Sequence, residues 1–166
     1  MTVMVRPLAG SEWPLYRALR LRALADAPAA FGSTLAREQD LKDEDWAWRL
    51  GLAATSGRDH ALVAEVDGAA VGLAWAKFDA NDPQVVNLFQ MWVAPEGRGQ
   101  GVAAALLAEA VAWARSRKAR TMQLGVMEGN EGARRLYERA GFRAFGTAEP
   151  VRPGDARLEQ AMRLAL

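Results

Sequence analysis

The chain has 166 residues, of which 51% are hydrophobic, and its formal net charge at pH 7 is +1. A charge so close to zero provides no general attraction to nucleic acid or to an anionic membrane, and no apolar run approaches the ~20 residues of a membrane span. The absence of cysteine and the presence of one histidine, His60, exclude disulfides, zinc–thiolate sites and a multi-histidine metal centre. We therefore expect one domain over residues 1–166 with no metal and, since Met1 to Arg6 does not resemble a signal peptide, a cytoplasmic location.

The N-terminal third predicts one short strand followed by helices. Residues 3–8 form the strand, and Gly10 or Ser11 can cap a helix that carries Pro14 in its first turn and ends before Pro28. The arginines of this helix predict a solvated face: Arg17, Arg20 and Arg22. A second helical region, residues 34–54, has a fresh acidic N-terminus at 43–45 and should divide into two short helices. Its large apolar residues are predicted to be core or groove walls: Trp46, Trp48, Leu50 and Leu52.

The middle and the end of the chain predict a mixed sheet. Three consecutive antiparallel strands are expected at 60–66, 69–78 and 84–93, the first two joined by a turn at Asp67-Gly68. A helix from Val102 then leads to a strand at 121–127, which the crossover makes parallel to the central strand 84–93. Asn130 caps a further helix to Ala140, and residues 142–148 and 157–166 are expected to form a last antiparallel pair.

The turn between the central strand and the long helix contains three glycines. Pro95 ends the strand, and Gly97, Gly99 and Gly101 alternate before the helix begins. Free backbone N–H groups and the helix dipole make such a turn an anion site, with a phosphate as its usual occupant, although a turn without a ligand is the alternative. The P-loop and dinucleotide patterns are both excluded here, because Val102 and Ala103 follow the last glycine.

Two segments resemble motifs of one enzyme family. Residues 93–103, with Arg98-Gly-Gln-Gly101-Val-Ala103 at their end, resemble the acetyl-CoA-binding motif Q/R-x-x-G-x-G/A of the GNAT family of N-acetyltransferases. Residues 130–142 resemble that family's later motif N-x-x-A-x-x-L-Y-x-x-x-G-F. The resemblance is good over residues 60–145 and looser before them. It implies a single-domain α/β (α+β) GNAT-like fold, with a mixed, mostly antiparallel sheet of six or seven strands, about four flanking helices and a splayed parallel strand pair.

The resemblance also implies the co-substrate, acetyl-CoA, and its contacts. The main chain at Met91 and Val93 would pair with the pantetheine arm as if a strand were added. The diphosphate would lie against the turn residues Arg98, Gly99, Gln100, Gly101, Val102 and Ala103. Further contacts would come from the start of the second motif: Asn130, Ala133 and Arg134.

Two catalytic roles follow from the same resemblance. The N–H of Val93 would stabilise the oxyanion, and Tyr137 would give its proton to the CoA sulfur, a suitable role for a phenol with a pKa near 10. A core tyrosine is the alternative. The general base stays open, because the central strand carries no acid. A water chain, an amine that arrives neutral and several side chains remain as candidates: Glu38, His60, Asp79, Asp82 and Glu128.

The acceptor side is predicted in outline. The helix–loop–helix after residue 28 would cover it, with Phe31, Glu38, Trp46 and Gln90 as candidate lining residues and plain packing as the alternative. The sequence thus predicts direct acetyl transfer from acetyl-CoA to the primary amine of a small molecule or a peptide. A catalytically weak CoA-binding module is the alternative, and a nucleic-acid partner is disfavoured by the charge. Family members are often dimers, which leaves a homodimer open.

Overall fold

The computed structural model describes residues 2–166, which form five α-helices and eight strands. The helices are α1 (Trp13–Asp26), α2 (Leu35–Gln39), α3 (Asp43–Ser56), α4 (Val102–Ser116) and α5 (Glu131–Arg139). The strands are β1 (Val3–Pro7), β2 (Asp59–Val66), β3 (Ala69–Phe78), β4 (Val85–Val93), β5 (Thr121–Met127), β6 (Arg143–Ala144), β7 (Glu149–Pro150) and β8 (Leu158–Ala165).

The strands join into one mixed sheet. Its order is β1-β2-β3-β4-β5-β8-β6, and β7 also pairs with β8. Only the β4–β5 pair is parallel among residues 2–166; every other pairing is antiparallel. The predicted α/β fold is confirmed. The strand number rises to eight because β6 and β7 have two residues each, and five helices replace the four expected.

The parallel pair opens into a slot. Pairing between β4 and β5 runs from Val85 with Thr121 to Asn87 with Gln123 and goes no further. Beyond that point each strand keeps its other neighbour, β3 for β4 and β8 for β5. The splay that the resemblance implied is therefore present, and it leaves one edge of β4 without a ladder partner next to the glycine turn.

A β-bulge bends β4 at Gln90. Phe89 lies opposite Trp75 and Trp92 lies opposite Leu73, so two residues of β4 face Ala74 alone. Gln90 has a φ of 59°, which is uncommon for a residue with a side chain. Bulges of this kind redirect side chains next to functional sites, and this one lies beside the slot.

Helices α1 and α4 cover opposite faces of the sheet. A Cβ on Gly72 of β3 would lie 3.1 Å from both Val102 and Leu106 of α4. Trp75, three positions further along β3, packs its ring 5.2 Å from that of Tyr16 in α1. Because side chains alternate along a strand, these two residues lie on different faces. Fully buried residues on both faces complete the core: Leu24, Leu62, Leu73, Leu106, Met122 and Met162.

Several local predictions need correction. Trp46 and Leu50 are core residues, but Trp48 and Leu52 are 73% and 53% exposed. Neither Gly10 nor Ser11 caps α1, because a 3₁₀ turn over Gly10–Glu12 leads directly into that helix. The strand expected over 142–148 is reduced to Arg143–Ala144, since Gly146 has a φ of 67° and takes the chain out of the ladder. None of the helices within residues 2–166 combines the length and the apolar character that a membrane crossing requires.

Candidate active site

The site candidates converge because β4 and β5 are parallel. Strand β4 leads into the glycine turn and α4, and β5 leads into Asn130 and α5. The carboxyl ends of parallel neighbours lie at the same edge of a sheet, so both predicted motifs flank the mouth of the slot.

The N–H of Val93 faces this slot. Ala94 donates its N–H to the Val71 oxygen at 2.7 Å, which fixes the direction of the amides at the end of β4. Amides alternate in direction along a strand, so the N–H of Val93 points away from β3 and toward β5. The β4–β5 ladder ends at Asn87, and the N–H of Val93 therefore has no ladder acceptor.

The glycine turn presents an open row of main-chain amides. Gly99 and Gly101 have φ values of 76° and 79°, and a Cβ on either would meet nothing within 4 Å. Gly97 differs, because its Cβ would lie 2.9 Å from Val71, so close packing excludes a side chain there. The first hydrogen bond of α4 runs from the Ala105 N–H to the Gly101 oxygen, which leaves the earlier amides free for an anion.

The Arg98 and Gln100 side chains of the turn make hydrogen bonds within the protein itself. Arg98 donates through Nε to the Val93 oxygen at 3.0 Å and pairs with Asp26 of α1. Gln100 donates to the Glu96 oxygen at 2.9 Å. The Arg98 guanidinium thus holds the end of β4 to α1, and its expected role at the phosphates stays a prediction.

The second motif begins α5. Asn130 caps the helix, as predicted, by accepting the Ala133 N–H at 3.3 Å. Arg134 pairs with Glu138 at 3.2 Å on an exposed face one turn apart. Ala133 and Arg134 therefore stand at the first turn of α5, beside the slot, and their contacts with a co-substrate remain a proposal.

Tyr137 lies further along α5. Its side chain is buried, and its ring packs edge-on against Phe142 with 5.8 Å between centroids. Burial raises the pKa of the Tyr137 phenol to about 12. Among residues 2–166 no hydrogen bond involves this hydroxyl. The side-chain polar atoms that are both fully buried and without a hydrogen-bond partner belong to Arg17, Arg20 and Trp46, so the Tyr137 oxygen is not fully enclosed. The phenol thus stays protonated at neutral pH and its oxygen is free to contact a ligand.

The four residues predicted for the acceptor side belong to one side-chain cluster. Tyr16 donates to Gln90 Oε1 at 2.8 Å. Glu38 accepts from Arg20 at 2.8 and 3.1 Å and from Arg49 at 3.3 Å. Arg20 lies 5.1 Å above the Phe31 ring, and Arg49 lies 5.0 Å above the Trp46 ring. We call these seven residues the α1–α3 cluster: Tyr16, Arg20, Phe31, Glu38, Trp46, Arg49 and Gln90.

Three members of the α1–α3 cluster were not anticipated from the sequence: Tyr16, Arg20 and Arg49. The solvated face predicted for α1 is wrong at Arg20, which is only 5% exposed. The helical spacing of Tyr16 and Arg20, four residues apart, was the available signal for a shared face. Trp46 has no exposed surface, so it is a fully buried member of the α1–α3 cluster and cannot line an open acceptor surface.

Most of the candidate bases either lie away from the slot or have a lowered pKa. Burial alone would raise the pKa of Glu38, but its hydrogen bonds to Arg20 and Ser33 and the charges of Arg20 and Arg49 lower it overall. Asp79 precedes β4, at the opposite edge of the sheet, where the Asn87 side chain lowers its pKa. Both carboxylates are therefore poor proton acceptors at neutral pH. Asp82 caps the same remote turn, and Glu128 is an exposed residue after β5.

His60 is also remote from the slot. Its ring stacks on Trp113 with 5.1 Å between centroids, and its Nε2 lies 3.4 Å from Glu109. Burial lowers its pKa, and only 15% of its side chain is exposed. Trp113 stands about 16 Å along α4 from Val102, so His60 belongs to the other end of the helix. A cavity of about 390 Å³ lies there, lined by His60, Trp113 and Arg117 among others.

Among residues 2–166 no group of three or more histidine, aspartate or glutamate side chains could hold a metal ion.

Relatives of the chain share this architecture. A crystal structure described as an acetyltransferase of the GNAT family from Streptococcus pneumoniae superimposes with a TM-score of 0.81 at 21% identity, covering 99% of this chain and 100% of that one. A ribosomal-protein-alanine N-acetyltransferase from Brucella melitensis superimposes with a TM-score of 0.78 at 27% identity, covering 98% and 99%.

Sequence comparison identifies curated relatives and a family. A mycothiol acetyltransferase of Thermobispora bispora is 33% identical over 137 residues, which are 80% of this chain and 43% of that protein. The chain thus spans less than half the length of that relative. The profile described as the acetyltransferase (GNAT) family matches residues 20–142. With the glycine turn, the splayed strands and the second motif all in place around one slot, the chain belongs to the GNAT acetyltransferase family.

Proposed function

We propose that the chain is an acetyl-CoA-dependent N-acetyltransferase that acts on a primary amine of a small molecule or a peptide by direct transfer. The observation that supports this proposal most directly is that two sets of free main-chain N–H donors lie at one edge of the sheet. One set is the row of amides from Gly99 to Ala103, and the other is the N–H of Val93 at the mouth of the slot.

The open glycine turn fits a diphosphate. Five successive amides, from Gly99 to Ala103, lie at the positive end of α4 and can donate to phosphate oxygens, and the space beside Gly99 and Gly101 is open. Below the turn, the unpaired edge of β4 at Met91 and Val93 offers main-chain groups to an extended amide-containing arm, in the manner of β-strand addition. A solved structure described as a putative acetyltransferase from Salmonella typhimurium with its cofactor acetyl-CoA has the same fold, with a TM-score of 0.80 at 20% identity over 100% of this chain and 95% of that one, and it supports this use of the fold.

Two residues have the chemistry that acyl transfer needs. Acetyl-CoA supplies an acetyl thioester, whose carbonyl oxygen gains negative charge when an amine attacks. The N–H of Val93 can donate to that oxygen, and a preorganised donor of this kind contributes about 3 kcal/mol to transition-state stabilisation. Tyr137 holds a proton that a departing thiolate can take, because the phenol is protonated well above neutral pH.

A binding measurement followed by a turnover measurement tests the proposal. Calorimetric titration with CoA and acetyl-CoA should show one site per chain. Release of free thiol should then follow addition of an amine from a panel consisting of a polyamine, an aminoglycoside, free amino acids and peptides with a free N-terminus. Binding without thiol release across the panel would favour the alternative, a CoA-binding module without turnover. Absence of both would reject the assignment.

A further inference from the structure

The side chain of one glutamate on β8 extends over β5 toward the slot. Glu159 pairs with Met127 in the β5–β8 ladder, but its side chain lies over Gly125, two residues away. A Cβ on Gly125 would lie 2.3 Å from the Glu159 Cδ and 2.6 Å from its Oε1. The carboxyl group therefore occupies the space above β5 that any other residue at position 125 would fill with its own side chain.

This carboxyl group lies on the face of the sheet that carries the α1–α3 cluster. Trp75 contacts Tyr16, so its side of β3 faces α1. Asn87 of β4 lies on that side, since it is opposite Lys77, and Gln123 of β5 is its neighbour in the ladder. Two residues along β5 from Gln123 comes Gly125, on the same face.

The same strand register shows how far along the slot the Glu159 carboxyl group lies. Two residues beyond Asn87 is Phe89, so Gly125 is level with the position just before the bulge at Gln90 and Met91. The Glu159 carboxyl group is thus across the slot from the part of β4 that lacks an acid of its own, and it is adjacent to the stretch proposed to hold the thioester.

Glu159 is available for proton transfer, unlike the buried Glu38. Among the residues that the structure describes, 2–166, no cation pairs with it, whereas Glu38 is held by two arginines. Burial raises the pKa of Glu159. Of the charged residues around it, Arg157 is held by Asp155, Arg163 lies 4.7 Å above the Phe145 ring, and Glu149 stands directly opposite on β7.

We propose that Glu159 is the general base of the acetyl transfer, acting from β8 across the bare backbone of Gly125. This inference rests on the proposed function. It assigns the proton-accepting role, which the central strand cannot fill, to a residue outside both sequence motifs.

The proton and electron balance is complete with the groups already named. Glu159 takes one proton from the acceptor ammonium, directly or across one water, and later releases it to solvent. The freed nitrogen lone pair forms the new C–N bond while the N–H of Val93 holds the oxyanion. The C–S bond then breaks, and Tyr137 gives its proton to the sulfur. The second nitrogen proton passes to solvent, and the phenolate recovers a proton from there.

Replacement of Glu159 by glutamine gives the first test. With the best amine of the panel, Glu159→Gln should lower kcat/KM at pH 7 by about 10²- to 10³-fold, while calorimetry shows unchanged CoA affinity. Glu149→Gln removes a neighbouring carboxylate on the same face and should keep wild-type turnover. If Glu159→Gln retains wild-type kcat/KM while the wild type turns over, Glu159 is not the base and the proposed function still stands.

The pH profile separates a base from a structural residue. Wild-type kcat/KM should fall as pH decreases through the pKa of Glu159, at a pH above the ordinary glutamate value of 4.5 because burial raises it. In Glu159→Gln this acidic limb should disappear, and the residual rate should rise steadily with pH as the amine becomes neutral in solution. A variant that keeps the wild-type limb at reduced amplitude would contradict the proposal.

The position above Gly125 allows a rescue. Gly125→Ala should displace the carboxyl group and lower kcat/KM, because a Cβ cannot coexist with it at 2.3 Å. In the double variant Glu159→Ala/Gly125→Asp, the new carboxyl group starts from that same Cβ position. This variant should recover at least tenfold over Glu159→Ala. Failure of both expectations in folded variants would reject the location of the base.

A spectroscopic measurement tests the proposal even if no amine in the panel is accepted. Carboxyl ¹³C NMR of the labelled wild type, assigned with Glu159→Gln, gives the Glu159 titration curve with and without CoA. A base beside the slot should have its pKa raised further when CoA covers it. An unchanged Glu159 curve in the CoA complex would overturn the proposal.

Discussion

The Tyr16 hydroxyl donates a 2.8 Å hydrogen bond to Gln90 Oε1 and so joins α1 to the bulge of β4. Gln90 is one of three non-glycine residues with a positive φ within residues 2–166, and it is the only one of them in a strand. Such a conformation costs about 1–3 kcal/mol and persists where the surroundings hold it. The bond from a fully buried tyrosine is one such restraint, and it positions a candidate acceptor contact next to Met91.

Substitutions at this bulge should separate strain from hydrogen bonding. Gln90→Gly relieves the positive φ and loses the bond, so the free energy of unfolding should change by less than about 1 kcal/mol. Gln90→Val loses the bond and places a β-branched residue at φ 59°, which should cost about 2 kcal/mol more than the glycine variant. Urea denaturation measures both, and equal stability of the two variants would contradict the strained conformation.

Gly101→Trp should abolish CoA binding. The open space beside Gly101 is the approach to the free amides, and an indole there would fill it. Gly57→Trp is a matched control, because Gly57 also has a positive φ, 70°, and ends α3 at the other end of the molecule. Calorimetric titration should show wild-type affinity for the control and no measurable binding for Gly101→Trp. Wild-type affinity in both would remove the turn from the CoA site.

Tyr137→Phe should lower kcat by about 10²-fold with little change in acetyl-CoA affinity, because only the proton donor is lost. Since the Tyr137 pKa is about 12, its protonated form persists through the alkaline range, and it should add no basic limb to the pH profile below about pH 10. Tyr16→Phe is the comparison, since it removes the other buried hydroxyl and should act mainly on acceptor KM. Unchanged turnover in Tyr137→Phe would exclude the acid role.

Glu38→Gln should destabilise the fold by about 3–5 kcal/mol, because Arg20 would then be a buried cation without its counter-charge. Glu138→Gln, which breaks the exposed pair with Arg134, should cost less than about 0.5 kcal/mol. Chemical denaturation at pH 7 compares the two. A loss at Glu38 as small as that at Glu138 would mean that the buried pair contributes no net stability.

The stabilisation by Glu38 should depend on pH with a definite sign. Its folded-state pKa is lowered, so the unfolded state binds more protons near that pKa. The contribution is complete above the unfolded value of about 4.3 and is lost as pH falls through the lower folded value. The stability gap between wild type and Glu38→Gln should therefore be constant from pH 7 to about 5 and narrow below pH 4.

Local sequence patterns were enough to predict most elements of the fold. The strands over 69–78 and 121–127 were predicted with the bounds observed, and the Asn130 cap and the parallel pairing were also confirmed. Alternation, capping and crossover rules act over a few residues, so they can be read directly from the chain. The two motifs can also be read directly from the chain and identify the family, because each is a short continuous segment, one leading from a strand into a helix and the other lying along a helix.

Contacts between distant segments could only be decided by tertiary structure. Packing between separate elements brings Arg98 to Asp26, buries Arg20 against Glu38 and stacks His60 on Trp113. The position of Glu159 above Gly125 depends on the β5–β8 register, in which a slip of one residue would move the side chain to the other face. The sequence by itself determined the elements and the main-chain turn. Only the folded structure decided which charges meet, because electrostatic and packing energies depend on distances that residue order does not contain.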